Sequence, residues 1–255
     1  MRETAIKPVW SGLYTTWEEA CTAANTLGGN GQSGEEWFDR ITYQLIDYRK
    51  EISQYGVAMP PRATNLPQHC SLTRPTSILD LGGSSGWCWD HLINSGVGEH
   101  VSSYYIVETQ EVVDYMTAKA LQSAPVLYQT LEEPLAPVDT LYCNSVLQYF
   151  ESNEVFISVI EHTRPEFILL DDLVAVDHKD FFTVQLFRGS AIPYRFLELQ
   201  SLLNSLTGLG YRMVLRCPYP SPIRGLIAPL PMENFPAKNR LRYSSSLLLK
   251  RENTK

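Results

Sequence analysis

Residues Ser77–Leu92 read SILDLGGSSGWCWDHL. Ile78, Leu79 and Leu81, broken only by Asp80, make a short apolar run of the kind a buried parallel strand uses. A turn of glycines and serines follows, and the chain then enters a segment led by Trp87 and Trp89. In an open α/β sheet, ligands settle outside the carboxyl ends of the strands. A bare glycine turn lets a ligand approach the backbone there, and the next helix offers unpaired N–H groups. Two uses of such a turn fail on spacing. G-x-G-x-x-G begun at Gly82 meets Ser84 and Trp87, and begun at Gly83 it meets Ser85. A phosphate loop fails because no Gly-Lys-Ser/Thr follows. What fits is acid-x-Gly-x-small-x-Gly, formed by Asp80, Gly82, Ser84 and Gly86, with Gly83 inside the turn.

Outward from this turn the texture alternates. YYIVE, VDTLYCN, EFILLDD and YRMVLRC are further short apolar runs, and TQEVVDYMTAKALQ and NEVFISVIEHT between them have helical character. Alternating strand and helix predicts a parallel sheet covered on both faces. A last strand in RLRYSSSLLLKR is reached through a proline-rich connection, CPYPSPIRGLIAPLPMENFPAKN, expected to lie over the surface. Upstream, YTTWEEACTAANTL offers Thr15 or Thr16 as N-cap, with Glu18 or Glu19 completing a capping box. Trp37, Ile41, Leu45 and Tyr48 recur at helical spacing. VAMPPRATNLPQHC reads as a linker because of its prolines.

Composition narrows the function classes. The chain has 255 residues, a net charge of -7 and a pI near 5.3, with no dense Lys/Arg run. A basic stripe for nucleic acid is therefore not expected. The first residues lack the apolar core of a secretory signal, and no apolar stretch is long enough to span a bilayer. Cys21, Cys70, Cys88, Cys143 and Cys217 are scattered, which indicates neither a zinc site nor a disulfide framework. A cytoplasmic protein is the simplest expectation.

The acid-x-Gly-x-small-x-Gly turn resembles the first motif of class I S-adenosylmethionine (SAM) methyltransferases. The following motifs keep that family's order from Ser77 to about Phe150. Glu108 ends YYIVE where a carboxylate would accept hydrogen bonds from the ribose hydroxyls, YQTLEEP places Thr130 and Leu131 near the adenine, and CNSVLQYF places Asn144, Ser145 and Gln148 after the fourth strand. A narrower similarity, carried by VWSGLYTTWEEA, FFTVQ, IPYRF and a later GY, is to an uncharacterised bacterial methyltransferase family often found among polysaccharide-biosynthesis genes. The resemblance implies a Rossmann-like α/β fold with a mostly parallel seven-stranded sheet. It divides the chain into an N-terminal helical extension or lid (1–68) and a SAM-binding domain (69–255). It implies SAM as cofactor and O-methylation of a small molecule or glycan in a biosynthetic pathway. A homodimer is a further expectation. Transfer to nitrogen or carbon, a SAM-assisted reaction without methyl transfer, and an inactive binding protein are the rival readings.

A hydroxyl acceptor needs a group to take its proton. LLDDLVAVDHKDFFTVQ supplies His178 as first candidate, because its ordinary pKa lies near neutrality, and Asp171 or Asp172 as the alternative. With Asn144 these aspartates have the oxygen chemistry of a magnesium or calcium site, although no metal is assigned. Gln148, Gln185, Tyr194 and Arg195 are expected to line the acceptor pocket, Arg195 as a clamp for a carboxylate or phosphate. Tyr14 is the expected lid contact. Trp87 and Trp89 read as packing residues that also wall off the turn.

Overall fold

The computed structural model describes residues 8–29, 35–58, 60–121, 124–187, 189–219, 222–223, 226–227 and 229–252. In chain order the elements are β1 (Trp10–Tyr14), α1 (Trp17–Thr26), α2 (Glu35–Tyr55), α3 (Leu66–Thr73), β2 (Ser77–Leu81), α4 (Trp87–Asn94), β3 (Ser103–Val107), α5 (Gln110–Ala118), β4 (Val126–Gln129) and β5 (Thr140–Asn144). They continue as α6 (Glu154–Thr163), β6 (Phe167–Leu173), β7 (Ala175–Val176), β8 (Phe181–Phe187), β9 (Ser190–Glu198), α7 (Leu199–Gly208), β10 (Tyr211–Tyr219), β11 (Pro222–Ile223), β12 (Leu226–Ile227) and β13 (Ser244–Arg251). A 3-10 turn, Leu147–Tyr149, follows β5.

The main sheet has seven strands in the order β10-β13-β6-β5-β2-β3-β4. β2 pairs parallel to both β3 and β5, β3 to β4, and β5 to β6, while β13 runs antiparallel between β6 and β10. This is the mostly parallel sheet the alternating pattern predicts. The chain leaves β2 toward β3 on one side and returns to β5 on the other, so a crevice opens at the carboxyl end of β2.

Each face of the sheet has its own core. On one, Phe156, Val159 and Ile160 of α6 and Leu202 and Leu206 of α7 pack on Leu79, Leu141 and Leu170. On the other, Ile41 and Leu45 of α2 join Leu66, Cys70, Trp89, Leu92, Val112 and Met116. Leu45, Leu66, Leu92, Leu141, Leu202 and Leu206 are fully buried, and burying such a side chain contributes about 1.5–3 kcal/mol. The face read from the spacing of α2 is thus the buried one. Tyr48 donates to or accepts from His91 Nδ1 at 2.7 Å, and Arg49 holds Asp90 at 2.6 Å, so α2 is tied to α4 as well as packed on it. The N-cap of α1 is Thr16, whose side chain accepts from the Glu19 amide while Glu19 accepts from the amides of Thr15 and Thr16.

Three features depart from the sequence reading. The segment read as a linker holds α3, because Pro67 falls in the first helical turn, where its missing N–H costs nothing. A second sheet, β1-β8-β9-β7, grows from the end of β6, with Trp10 opposite Gln185 and β8 paired antiparallel to β9. Among the described residues of the proline-rich connection, Leu230, Met232 and Phe235 do not lie on the surface. They are buried against Trp10, Phe181, Tyr194 and Phe196 beneath the second sheet.

Candidate functional site

The glycine turn is built for close approach. Gly82 and Gly86 have φ of +71° and +78°, and Ser84 shares the left-handed region at +54°. Gly86 caps α4. A Cβ on Gly82 would stand 2.5 Å from Val146 Cγ2, and one on Gly83 would stand 2.6 Å from Asp80 Oδ2. Neither position has room for a side chain. Beneath the turn, Asp80 is 1% exposed and accepts a hydrogen bond from Tyr104 at 2.7 Å. Burial, aided by the nearby Glu108 charge, pushes its pKa up to about 7, against the pull of the Tyr104 hydroxyl.

Glu108 follows β3, in register beside β2, and its Oε1 accepts from the Ser84 amide at 2.9 Å. Its Oε2 accepts from the Thr109 amide at 3.2 Å. Burial raises its pKa, and these two amides oppose the rise.

Above the turn is a cavity of about 830 Å³. Of the residues read from the sequence, it is lined by Asp80, Gly82, Gly83, Ser84, Glu108, Leu131, Asn144, Ser145, Asp172, Gln185 and Tyr194. Gly86, Thr130, Gln148, Asp171, His178, Arg195 and Tyr14 are not among its lining residues. Trp87 lines it, whereas Trp89 is buried against Tyr104.

The residues outside the lining have other partners. Asp171 accepts from the Asn65 amide at 2.7 Å, from Asn65 Nδ2 at 2.8 Å and from Ser246, and so ties α3 to β6 and β13. Burial raises its pKa against these hydrogen bonds. His178 stacks on Phe181 and bonds the Lys179 carbonyl through Nδ1 at 2.9 Å. Arg195, 3% exposed, donates to Asp180 at 2.6 Å. Gln148 donates to Ser145 Oγ at 2.7 Å, Thr130 donates its amide to Glu133, and Tyr14 packs near Ala24 and Val184.

Four cavity residues the sequence reading did not single out, Arg40, Arg62, Tyr149 and Tyr219, surround two that it did, Asp172 and Tyr194. Arg62, in the loop before α3, lines the cavity. Among the described residues it has neither a hydrogen bond nor an ion pair within 4 Å. Burial disfavours its charge, yet Tyr149, Asp172, Tyr219 and Tyr194 around it hold the pKa above the ordinary value. Arg40 of α2 lies between the rings of Trp37 and Phe187, 4.2 and 4.3 Å from their centroids. Asp172, next to last in β6, has φ +54° and accepts from Ser244 Oγ at 2.6 Å. Burial raises the pKa of the Tyr149, Tyr194 and Tyr219 phenols, which keeps them protonated near neutral pH. Only the fold puts these groups together, since Arg40, Arg62, Tyr149, Asp172, Tyr194 and Tyr219 come from six separate segments.

No protein-family model and no curated protein sequence matches the chain. Solved structures do. The Burkholderia thailandensis 1,6-didemethyltoxoflavin-N1-methyltransferase, determined with 1,6-didemethyltoxoflavin and S-adenosylhomocysteine, is 13% identical, with a TM-score of 0.50 over 97% of this chain and 94% of that one. A SAM-dependent methyltransferase from Methanosarcina mazei is 10% identical, with a TM-score of 0.50 over 72% of this chain and 96% of that one. The chain has the fold of the class I methyltransferases: a mostly parallel seven-stranded sheet with helices. Among the described residues no helix is long and apolar enough to cross a membrane.

Proposed function

We propose that the protein is a SAM-dependent methyltransferase that transfers a methyl group to a hydroxyl of a small molecule. The observation that carries this reading is one cavity running from the glycine turn and Glu108 to Asp172. The residues fit the cofactor. Glu108 suits the ribose hydroxyls, Gly82, Gly83 and Ser84 leave the backbone bare, and Leu131 offers an apolar surface for the adenine. Asn144 and Ser145 line the same cavity. Arg62, lacking an ion partner, suits the methionyl carboxylate. Bound SAM supplies an electrophilic methyl group.

The chain's own work is then positioning and proton transfer. Alignment of two reactants is worth roughly 7–11 kcal/mol at best. Asp172 is the base in this reading, because it lines the cavity, whereas His178 and Asp171 do not. The protonated phenols of Tyr149 and Tyr194 orient the acceptor. Trp37, Arg40 and Gln44 of α2 lie on the wall, so the 1–68 segment acts as a cover that limits water. A role in biosynthesis, with a glycan as the alternative acceptor, belongs to the same proposal and rests on the sequence resemblance; a cytoplasmic location and a homodimer are further parts of it.

Calorimetry with SAM and S-adenosylhomocysteine tests it. Micromolar binding at about one site per chain is expected, and absence of binding by the folded protein overturns it. Arg62→Ala should weaken S-adenosylhomocysteine but not 5′-methylthioadenosine, which lacks the carboxylate. Equal loss for both ligands removes Arg62 from that role.

A further inference from the structure

Among residues 61–67 only Arg62 is exposed, and it lines the cavity. The three residues after it are each tied to the strand ends. The Ala63 carbonyl accepts from Asn144 Nδ2 of β5 at 2.9 Å and from the Tyr219 hydroxyl of β10. Thr64 Oγ1 meets the Tyr142 hydroxyl of β5 at 2.6 Å and accepts from the Leu66 amide at 3.0 Å. The Asn65 amide and side chain donate to Asp171 of β6, and the side chain also donates to Ser246 of β13. A backbone held in this way is already ordered before a ligand arrives, so the arginine it carries loses less freedom on binding.

The direction of the bonds on Ala63 is fixed by chemistry. A carbonyl can only accept, so the Asn144 amide turns its Nδ2 to the loop, and that atom also donates to the Tyr142 hydroxyl at 2.8 Å. Tyr219 is 1% exposed, and burial raises its pKa, so it keeps the proton that it donates. Tyr219 lies at the end of β10, the edge strand of the main sheet. Its hydroxyl thus joins the C-terminal pair of strands to the loop that carries Arg62.

We infer that the hydroxyls of Tyr219 and Thr64 are positioning groups for cofactor binding: by anchoring the loop at Ala63 and Thr64, they hold Arg62 where it meets the methionyl carboxylate. This rests on the reading of Arg62 given above. A guanidinium pairs with a carboxylate through two parallel hydrogen bonds, so a small shift of the loop loses one of them. Phenylalanine at 219 keeps the ring and removes one of the two donors on Ala63. Valine at 64 keeps the branched side chain and removes the contact with Tyr142.

The test is a double-mutant cycle by calorimetry, with S-adenosylhomocysteine and, as the ligand without a carboxylate, 5′-methylthioadenosine. Tyr219→Phe and Thr64→Val should each weaken S-adenosylhomocysteine about three- to tenfold and change 5′-methylthioadenosine by less than about twofold. In an Arg62→Ala background neither change should weaken S-adenosylhomocysteine further. Residues that merely pack would weaken both ligands, or weaken S-adenosylhomocysteine equally with and without Arg62. Either result overturns the inference, and so does unchanged S-adenosylhomocysteine affinity in the single variants. If one variant fails to fold, the other decides by the same criteria. Failure of the underlying reading looks different: the wild type does not bind S-adenosylhomocysteine, or Arg62→Ala alone spares it, and the inference then falls with that reading.

Discussion

The Ser84 amide donates to Glu108 Oε1 at 2.9 Å, joining the glycine turn after β2 to the carboxylate after β3. Two adjacent parallel strands thus end in one interaction, at the place where the seven-stranded sheet opens a crevice. Glu108 pins the turn, and in the proposed reading its half-buried carboxylate also accepts from the cofactor's ribose hydroxyls. Hydrogen bonds to a charged group contribute about 1.5–3 kcal/mol.

Glu108→Ala should therefore weaken S-adenosylhomocysteine about 10- to 100-fold by calorimetry. Glu108→Gln, which keeps one acceptor oxygen, should lose less. Unchanged affinity in the alanine variant would put the ribose elsewhere.

Gly83→Ala would place a Cβ 2.6 Å from Asp80 Oδ2 and 3.1 Å from Ile106 Cγ2. Asp80 is anchored by Tyr104 and Ile106 is buried, so neither can yield freely. Overpacking of this kind costs about 1–3 kcal/mol. A lowered thermal midpoint together with lost cofactor affinity is the expected outcome. A variant with wild-type values for both would mean that the turn relaxes.

The Asp80 carboxyl titrates near pH 7 in the folded chain, against about 3.9 in the unfolded chain. The folded state therefore holds the proton more tightly. The stabilisation this group adds is complete below about pH 4 and is lost as pH rises through about 7. Asp80→Asn cannot ionise and keeps an acceptor for Tyr104. Thermal midpoints across pH 5–8 should show the wild type falling relative to Asp80→Asn as pH rises. Parallel curves would mean that Asp80 is ionised throughout.

Asp171 ties three segments together. It receives the amide and side chain of Asn65 and the hydroxyl of Ser246. Asp171→Ala leaves those donors without an acceptor, at a cost of about 3 kcal/mol. That corresponds to a fall of roughly 10 °C in thermal midpoint. A fall of only a degree or two would show that Asn65 and Ser246 find other partners.

The local elements were readable because local chemistry fixes them. Thr16 and Glu19 are three residues apart and close the capping box; Ile41, Leu45 and Tyr48 share one face of α2 through the 3.6-residue period. The glycines at 82 and 86 were legible as a turn, and Glu108 as the end of an apolar strand. The prolines before α3 misled, because the sequence does not say whether a proline stops a helix or starts one. Pro67 starts one.

What the sequence determined by itself was the alternation of strand and helix that builds the parallel part of the main sheet, the bare turn between Asp80 and Trp87, and the carboxylate one strand later. These follow from side-chain period, backbone conformation and capping, all of which act over a few residues. The tertiary structure decided which chemistry reaches the cavity. It turned Asp172 inward but gave Asp171 to Asn65 and Ser246, paired Arg195 with Asp180, and left His178 stacked on Phe181. It brought Arg62 and three tyrosines together from distant segments through a second sheet that no local period announces. Burial and partner choice depend on contacts nearly two hundred residues apart in places, as between Trp10 and Phe196. No short-range pattern encodes them.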